Sequence, residues 1–167
     1  LDEIGELPKD MQVKLLRALQ EQEIMRVGGT KPVKINVRII AATNRNLEEM
    51  VKDGTFREDL YYRLTVFPIS IPPLRMRKKD IIPLALSFLK KLNQKYQMKK
   101  YFTDLSMQLL HEYNWPGNIR ELENIIEYVV LCSAGEGTIE DSVLSSLLNL
   151  SLPPKHTVLD TDFYGAV

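Results

Sequence analysis

Val37-Arg38-Ile39-Ile40-Ala41-Ala42-Thr43-Asn44-Arg45-Asn46 is the stretch whose reading decides the fold. Ile39 to Ala42 form an unbroken apolar run, too short for most helices and β-branched at two positions. That pattern suits a strand covered on both faces, as in a parallel sheet. Ligands of open α/β sheets sit beyond the carboxyl ends of such strands. Thr43 and Asn44 fall at that end and are candidates for contact with a polar ligand, although Asn44 is also an ordinary turn residue.

Upstream, Leu1-Asp2-Glu3-Ile4-Gly5-Glu6-Leu7 opens on an apolar residue followed by two acids, which reads as a strand cut short and the chain as a fragment. Pro8 suits a helix first turn, and Met11, Leu15, Leu16 and Leu19 make a helical stripe to about Gln22. Ile24 to Val27 and Val33 to Val37 are β-prone runs around Gly28-Gly29-Thr30-Lys31-Pro32, the composition of a hairpin or projecting loop. Downstream, Asn46 with Glu49 predicts a capping box for a short helix that Gly54 closes. A further helix is expected over Arg57 to Leu64. Phe67 to Ile71 then reads as a second strand ended by Pro72-Pro73.

After Arg75 the pattern turns wholly helical, and a boundary is expected near Leu74 to Lys79. Asp80 is placed to cap a helix whose Ile81, Leu84, Ala85, Phe88 and Leu92 face inward, to about Tyr96. Thr103 begins a second, with Leu105, Leu109 and Leu110 buried. Asn118 and Glu121 predict a capping box for a third, with Ile119, Leu122, Ile126, Val129 and Val130 inward and Gly135 at its end. Thr138 with Asp141 repeats the device for a fourth, to Leu147 or Leu148. Four short helices with short connections make a small bundle.

At 167 residues and 44% hydrophobic content, the chain has material for one domain or two small ones with a real core. Lysine plus arginine balances aspartate plus glutamate at 22 each, so bulk charge singles out neither a nucleic acid nor a membrane. One cysteine, Cys132, excludes an intramolecular disulfide and fits a reducing interior; among apolar helix residues it reads as core. No membrane span or signal pattern occurs, and a cytoplasmic setting is expected. His111 and His156 lack metal-ligand spacing.

The candidate chemistry is carried by four groups. Asp2 and Glu3 are adjacent acids: one acid can hold a divalent cation while its neighbour orients an attacking water, yet an Asp-Glu pair is also a common solvated turn. Arg57 and Arg63 are separated by roughly 600° of helical turn, some 120° in projection, and could reach two parts of one target. Their guanidinium groups match phosphate oxygens, and pairing with Glu58 and Asp59 is the simpler alternative. Trp115-Pro116-Gly117-Asn118-Ile119-Arg120-Glu121-Leu122-Glu123-Asn124 is the most specific stretch. It places a cation, Arg120, in a helix first turn where the dipole disfavours it, a conflict that a bound anion resolves. Trp115 as a core anchor and Arg120 paired with Glu123 or Glu3 would explain the turn but not the charge.

Taken in order, the acid pair, Arg26-Val27-Gly28-Gly29, Val37 to Asn46, Phe56 to Leu64 and Trp115 to Asn124 resemble the AAA+ ATPase domain of bacterial sigma-54-dependent transcriptional activators, the enhancer-binding proteins of nitrogen-regulator type. The resemblance runs from residue 1 to about 150. It implies an α/β fold: a truncated P-loop-type parallel sheet remnant over 1–74, an all-α four-helix lid bundle over 75–150, and a linker or disordered tail over 151–167. Asp2 and Glu3 then look like the Walker B pair, with Asp2 on magnesium and Glu3 polarising water. Thr43 and Asn44 look like the sensor of the γ-phosphate, and Arg57 and Arg63 like arginine fingers serving a neighbouring subunit. Arg120, with Asn118 beside it, looks like the second sensor in the lid, and Arg26 to Lys34 resembles a loop that moves with the nucleotide state.

The implied cofactors are ATP and Mg2+. The implied partners are the sigma-54 RNA polymerase holoenzyme and further copies of the chain, as a hexameric ring; DNA would be met only through a separate domain. No Gly-x-x-x-x-Gly-Lys-Ser/Thr phosphate loop and no Gly-Ala-Phe-Thr-Gly-Ala loop occur in the 167 residues. The expectation is therefore weak or no ATP binding, no ATPase activity in the chain alone, and association or rearrangement over residues 1 to 73. A non-catalytic helical module that binds protein or nucleic acid is the alternative.

Overall fold

The computed structural model describes residues 1–133 and 137–149. The chain divides into two compact units, Leu1–Ser70 and the residues from Ile71 onward. The expected helix end at Gly135, the tail from Ser151 and His156 lie outside the described residues.

In the first unit α1 (Lys9–Glu21) starts after Pro8 and ends at Gln22, whose left-handed φ of 54° stops the helix. Its inward stripe is Gln12, Leu15, Leu16 and Leu19, whereas Met11 is largely exposed. Gln12 is buried because all its amide groups are used: Nε2 donates to Leu7 O at 2.8 Å and Thr55 O at 3.2 Å, and Oε1 accepts from Arg57 N at 2.9 Å. β1 (Glu23–Met25) and β2 (Pro32–Lys34) pair antiparallel with Ile24 opposite Val33, a hairpin narrower than the two β-prone runs. Its turn closes through Gly29 N to Arg26 O at 2.9 Å, with Gly28 at φ 74°, a conformation glycine adopts without strain.

α2 (Leu47–Lys52) is capped by Asn46, whose Oδ1 accepts from Glu48 N and Glu49 N. α3 (Glu58–Leu64) follows. Ile4, Leu16, Phe56 and Leu60 form this unit's core.

Two expected strands are corrected. Residues 36–43 hold no regular strand, and Val37 and Ile40 are exposed, Ile40 by 74%. A strand covered on both faces needs neighbours on both edges and a layer on each face. Among the described residues this segment has one hydrogen-bonded neighbour, residues 1–4. Leu1 N donates to Ile40 O at 2.7 Å, Ala42 N to Leu1 O at 2.9 Å and Ile4 N to Ala42 O at 3.0 Å. The first two bonds have the pattern of one parallel bridge, so the parallel sense persists locally. Phe67 to Ile71 is likewise no strand: Phe67 and Ile69 are 88% and 86% exposed. Pro68 inside the run removes one ladder donor and Pro72-Pro73 remove two more.

The second unit is a bundle of α4 (Ile81–Tyr96), α5 (Asp104–Glu112), α6 (Asn118–Cys132) and α7 (Asp141–Leu148). α4 packs on α5 and α6, and α7 on both of those. The apolar spacing works as expected: Ile81, Ala85, Phe88 and Leu92 meet Leu109, Leu110, Leu122, Ile126, Val129 and Val130 in one core. Each fully buried leucine or isoleucine contributes about 1.5–3 kcal/mol. Trp115 anchors it with no exposed surface, its Nε1 donating to Leu110 O at 2.9 Å.

The helix starts depart from expectation more than the helices do. Thr103 caps α5 by accepting from Ser106 N at 2.9 Å. Asp80, however, makes no cap bond, because a 3-10 turn over Lys78–Asp80 feeds directly into α4. Thr138 forms an isolated parallel bridge with Tyr101, and Asp141 accepts from Thr103 Oγ1 and Ser106 Oγ, each at 2.5 Å, so neither caps α7. Cys132 is exposed, at the end of α6, rather than in the core.

Candidate functional site

The pairing of residues 1–4 with 40–42 brings the segment that carries the acid pair alongside the extended segment that leads to Thr43 and Asn44, from about forty residues away in the chain. Gly5 marks how close the two segments come. A Cβ added there would lie 2.9 Å from Thr43 Oγ1 and 3.1 Å from Arg45 Cβ. Only a glycine fits at that separation.

Asp2, Glu3 and Asn44 are exposed, and Thr43 is half-buried. Asp2 Oδ1 accepts from Glu3 N at 3.0 Å, and Thr43 Oγ1 accepts from Arg45 N at 3.1 Å. Arg45 in turn bridges to Glu6 at 2.6 Å, closing the outer side of this edge.

Six described non-glycine residues have positive φ. Gln22, Gln97 and Asn149 are helix ends, where the left-handed conformation is routine. The other three, Glu3, Trp115 and Asn118, lie in the two stretches singled out for chemistry. Strained backbone at such positions persists only where surrounding contacts hold it.

Arg57 precedes α3 and its Nε and Nη2 clasp both oxygens of Asp59, at 3.0 and 2.6 Å. That hydrogen-bonded pair pushes the Arg57 guanidinium up and holds the Asp59 carboxyl below its ordinary value. Arg63, in the last turn of α3, reaches only Leu19 O, at 3.4 Å. Both guanidinium groups are on the surface, Arg57 inside a local ion pair and Arg63 without a carboxylate among the described residues.

In the second unit the turn before α6 is tied from several sides. Glu121 Oε2 accepts from Gly117 N at 2.8 Å, and Tyr113 OH donates to Glu121 Oε1 at 3.1 Å. Burial, and then this bond, pushes the Tyr113 phenol up. Asn118 does not act as the cap: at φ 54° its Oδ1 accepts from Leu74 N at 2.8 Å, and its Nδ2 donates to Pro116 O at 3.4 Å. The expected box is therefore not formed: Glu121 reaches Gly117 N, one residue before Asn118, and the asparagine side chain serves another segment.

Arg120 is exposed and has no carboxylate partner among the described residues of its unit, Glu123 included. It lines a cavity of about 390 Å³ with Ile71, Pro73, Arg77, Asn118 and Ile119. Arg77 was not among the sequence candidates. Its Nε is buried without a hydrogen-bond acceptor among the described residues, an arrangement that costs about 1–3 kcal/mol unless something accepts from it. The available signal was the run Arg75-Met76-Arg77-Lys78-Lys79, four cations against the single acid Asp80.

This donor set fits an anion. Arg120 adds a cation where a helix dipole disfavours one by about 0.3–1 kcal/mol, and the cavity contains a second, under-used guanidinium. Asp2 keeps one carboxylate oxygen unengaged and exposed, which fits a magnesium ion that takes one protein carboxylate and fills its remaining positions with phosphate and water. Among the described residues there is no cluster of three or more His, Cys, Asp or Glu that could hold a metal without such help.

A short unit of helices and a two-stranded hairpin followed by a four-helix bundle is consistent with a truncated AAA+ ATPase domain and its lid. NtrX from Brucella abortus, solved in complex with ATP, superposes with a TM-score of 0.84 at 37% identity, over 95% of this chain and 37% of that one. Its complex with ADP superposes with a TM-score of 0.82 at 38% identity, over 96% of this chain and 37% of that one.

Residues 1–70 match the sigma-54 interaction domain, and residues 75–158 match the AAA+ ATPase lid domain. The chain belongs to the AAA+ ATPase family of sigma-54-dependent transcriptional activators. Among curated relatives, the nitrogen fixation protein AnfA of Azotobacter vinelandii is 52% identical over 92% of this chain, and the regulatory protein AtoC of Escherichia coli 54% identical over 81%. The chain spans 27% and 30% of the length of those two proteins. No helix among the described residues is long and apolar enough to cross a membrane.

Proposed function

We propose that this chain carries the hydrolytic acids, the phosphate-sensing strand tip, the trans-acting arginines and the lid of an ATP-hydrolysing transcriptional activator that remodels the sigma-54 RNA polymerase holoenzyme. One observation supports this reading: the hydrogen-bonded pairing of residues 1–4 with 40–42, which runs the segment that carries Asp2 and Glu3 along the segment that leads to Thr43, with Gly5 in close approach to Thr43. The orphaned Nε of Arg77 and the unpaired Arg120 support an anion in the lid.

Bound Mg2+ would neutralise charge on the phosphates of ATP as it passes to ADP and phosphate. Asp2, whose Oδ1 accepts from Glu3 N, would be the residue that holds that ion. Glu3, held in its left-handed conformation, presents an exposed carboxylate that orients and polarises a water. Thr43 and Asn44 hydrogen-bond the terminal phosphate. Arg120, with Asn118 beside it, closes the lid, residues 75–150, onto the nucleotide.

Arg57 and Arg63 serve the site of a neighbouring copy in a ring, most simply a hexamer. Arg57 must first leave Asp59, an exchange between an exposed carboxylate and a phosphoryl group. The loop Arg26 to Lys34 transmits the state of the site to the polymerase. Any DNA contact belongs to a separate domain, and the setting is the bacterial cytoplasm. By itself the 167-residue chain, without a phosphate loop, engages polyphosphate weakly and does not turn ATP over.

The test uses the longer protein with its phosphate loop. Glu3→Gln is expected to keep ATP binding and abolish turnover. Arg57→Ala and Arg63→Ala should each lower turnover by up to ~10³- to 10⁵-fold, restored in part by mixing with Glu3→Gln subunits. Unchanged turnover in all three variants excludes the assigned roles.

A further inference from the structure

Arg77 stands out among the charged groups that the proposed function leaves unused. Its nearest carboxylate, Asp80, approaches Nη1 at 3.7 Å, a loose contact on one side of the guanidinium. The opposite edge, Nε with Nη2, is the one that Arg57 uses to clasp Asp59 in this same molecule. In Arg77 that edge has no acceptor among the described residues, its Nε is buried, and the residue lines the cavity that also contains Arg120. A planar fork left open at a cavity wall is suited to two oxygens of one phosphate group.

The turn carrying Arg77 is held to α6 by a short relay. Arg77 N donates to Leu74 O at 3.0 Å, and Leu74 N donates to Asn118 Oδ1 at 2.8 Å. Leu74 is fully buried and Asn118 adopts a left-handed φ of 54°, so the clip has little freedom to shift. Arg120 lies two residues further on.

We propose that Arg77 is a second anion-binding arginine of this cavity, offering its Nε–Nη2 edge to the polyphosphate that Arg120 engages. Asn118 is the positioning residue that keeps the two guanidinium groups around one cavity. The inference rests on the nucleotide reading and adds to it a ligand and the device that places it.

Arginine Nε–Hε NMR spectra of the 167-residue chain, titrated with millimolar ATP and separately with sodium triphosphate, test this directly. Sulfate at matched ionic strength is the control. The Arg77 and Arg120 resonances should move together along one saturable curve with both polyphosphates, while exposed Arg75 stays still. Movement of Arg120 alone overturns the role of Arg77 and leaves the nucleotide reading standing. Movement of neither overturns the lid's part in that reading, and equal movement with sulfate reduces the site to charge screening and overturns the proposal.

Arg77→Gln should weaken triphosphate about tenfold, and Arg77→Lys nearly as much, because an ammonium lacks the fork. Asn118→Gly tolerates the left-handed backbone and removes the clip to Leu74 together with the longer, exposed bond to Pro116 O. In that variant, with the amide spectrum of α4 to α7 unchanged, Arg77 should stop responding while Arg120 still does. Joint movement there overturns the positioning role of Asn118.

Discussion

The two units finish their hydrophobic work to different degrees. Residues from Ile71 onward close a bundle core around Trp115, Leu122, Ile126 and Val129, with helices contributing on every side. The first unit buries Ile4, Leu16, Phe56 and Leu60, yet leaves Val27, Ile40, Phe67 and Ile69 facing outward. The difference follows from how each structure satisfies its backbone. A helix pairs its own amides and needs only side-chain packing from neighbours, whereas a strand needs another strand for its amides and a layer for each face. The helical unit therefore completes itself within its own residues, and the strand-type segments do not.

Trp115→Ala should break this contrast most severely. It empties the centre of the bundle and is expected to cost about 3–5 kcal/mol, read by denaturant unfolding of the helical signal. Gln12→Leu tests the first unit at a smaller scale. It abolishes the part-buried bonds to Leu7 O, Thr55 O and Arg57 N, for about 1–3 kcal/mol, with α4 to α7 unaffected in hydrogen exchange.

Ile40→Ser should change stability by less than about 0.5 kcal/mol, because the side chain is already exposed; a cost of several kcal/mol would mean that a covering layer exists.

The mildest test is a pH effect on the bundle. Glu127 accepts from Tyr96 OH at 2.7 Å and Lys95 Nζ at 3.0 Å, and these bonds hold its carboxyl below the ordinary 4.5. A lowered folded-state value contributes stability that is present above pH 4.5 and is lost as the pH falls through the lowered value. Glu127→Gln should remove that part of the acid dependence and leave the rest, as followed by thermal unfolding between neutral and acid pH.

The same contrast explains what was legible in the sequence. Apolar spacing found α1 and all four bundle helices, because helical periodicity is local and survives any change of neighbours. Asn46 is legible as a cap and Thr103 as a helix start, since their backbone partners lie within three residues. Val37 to Asn46 and Phe67 to Ile71 misled, because a strand is defined by what lies beside it, and Pro68 in the second run outweighed its apolar neighbours.

At the candidate site, the acid pair, the strand tip and Arg120 were visible as residue types out of keeping with their positions. Arg77 and the clip from Asn118 to Leu74 were not, because they depend on a contact between residues 44 apart. Asn118 looked like a helix cap by spacing alone, and only its left-handed backbone shows that its side chain is turned to another segment.

Turnover of ATP by Gly5→Ala in the longer protein tests most directly the claim that residues 1–5 and 40–45 form one hydrolytic edge. The added methyl would meet Thr43 Oγ1 at 2.9 Å and Arg45 Cβ at 3.1 Å, so the Thr43 side chain must turn or the two segments must move apart, and either disturbs the proposed edge without replacing any of its groups. The account predicts turnover lower by roughly ten- to a hundredfold, with the amide protection of α4 to α7 unchanged. Turnover equal to that of the unaltered protein would contradict it.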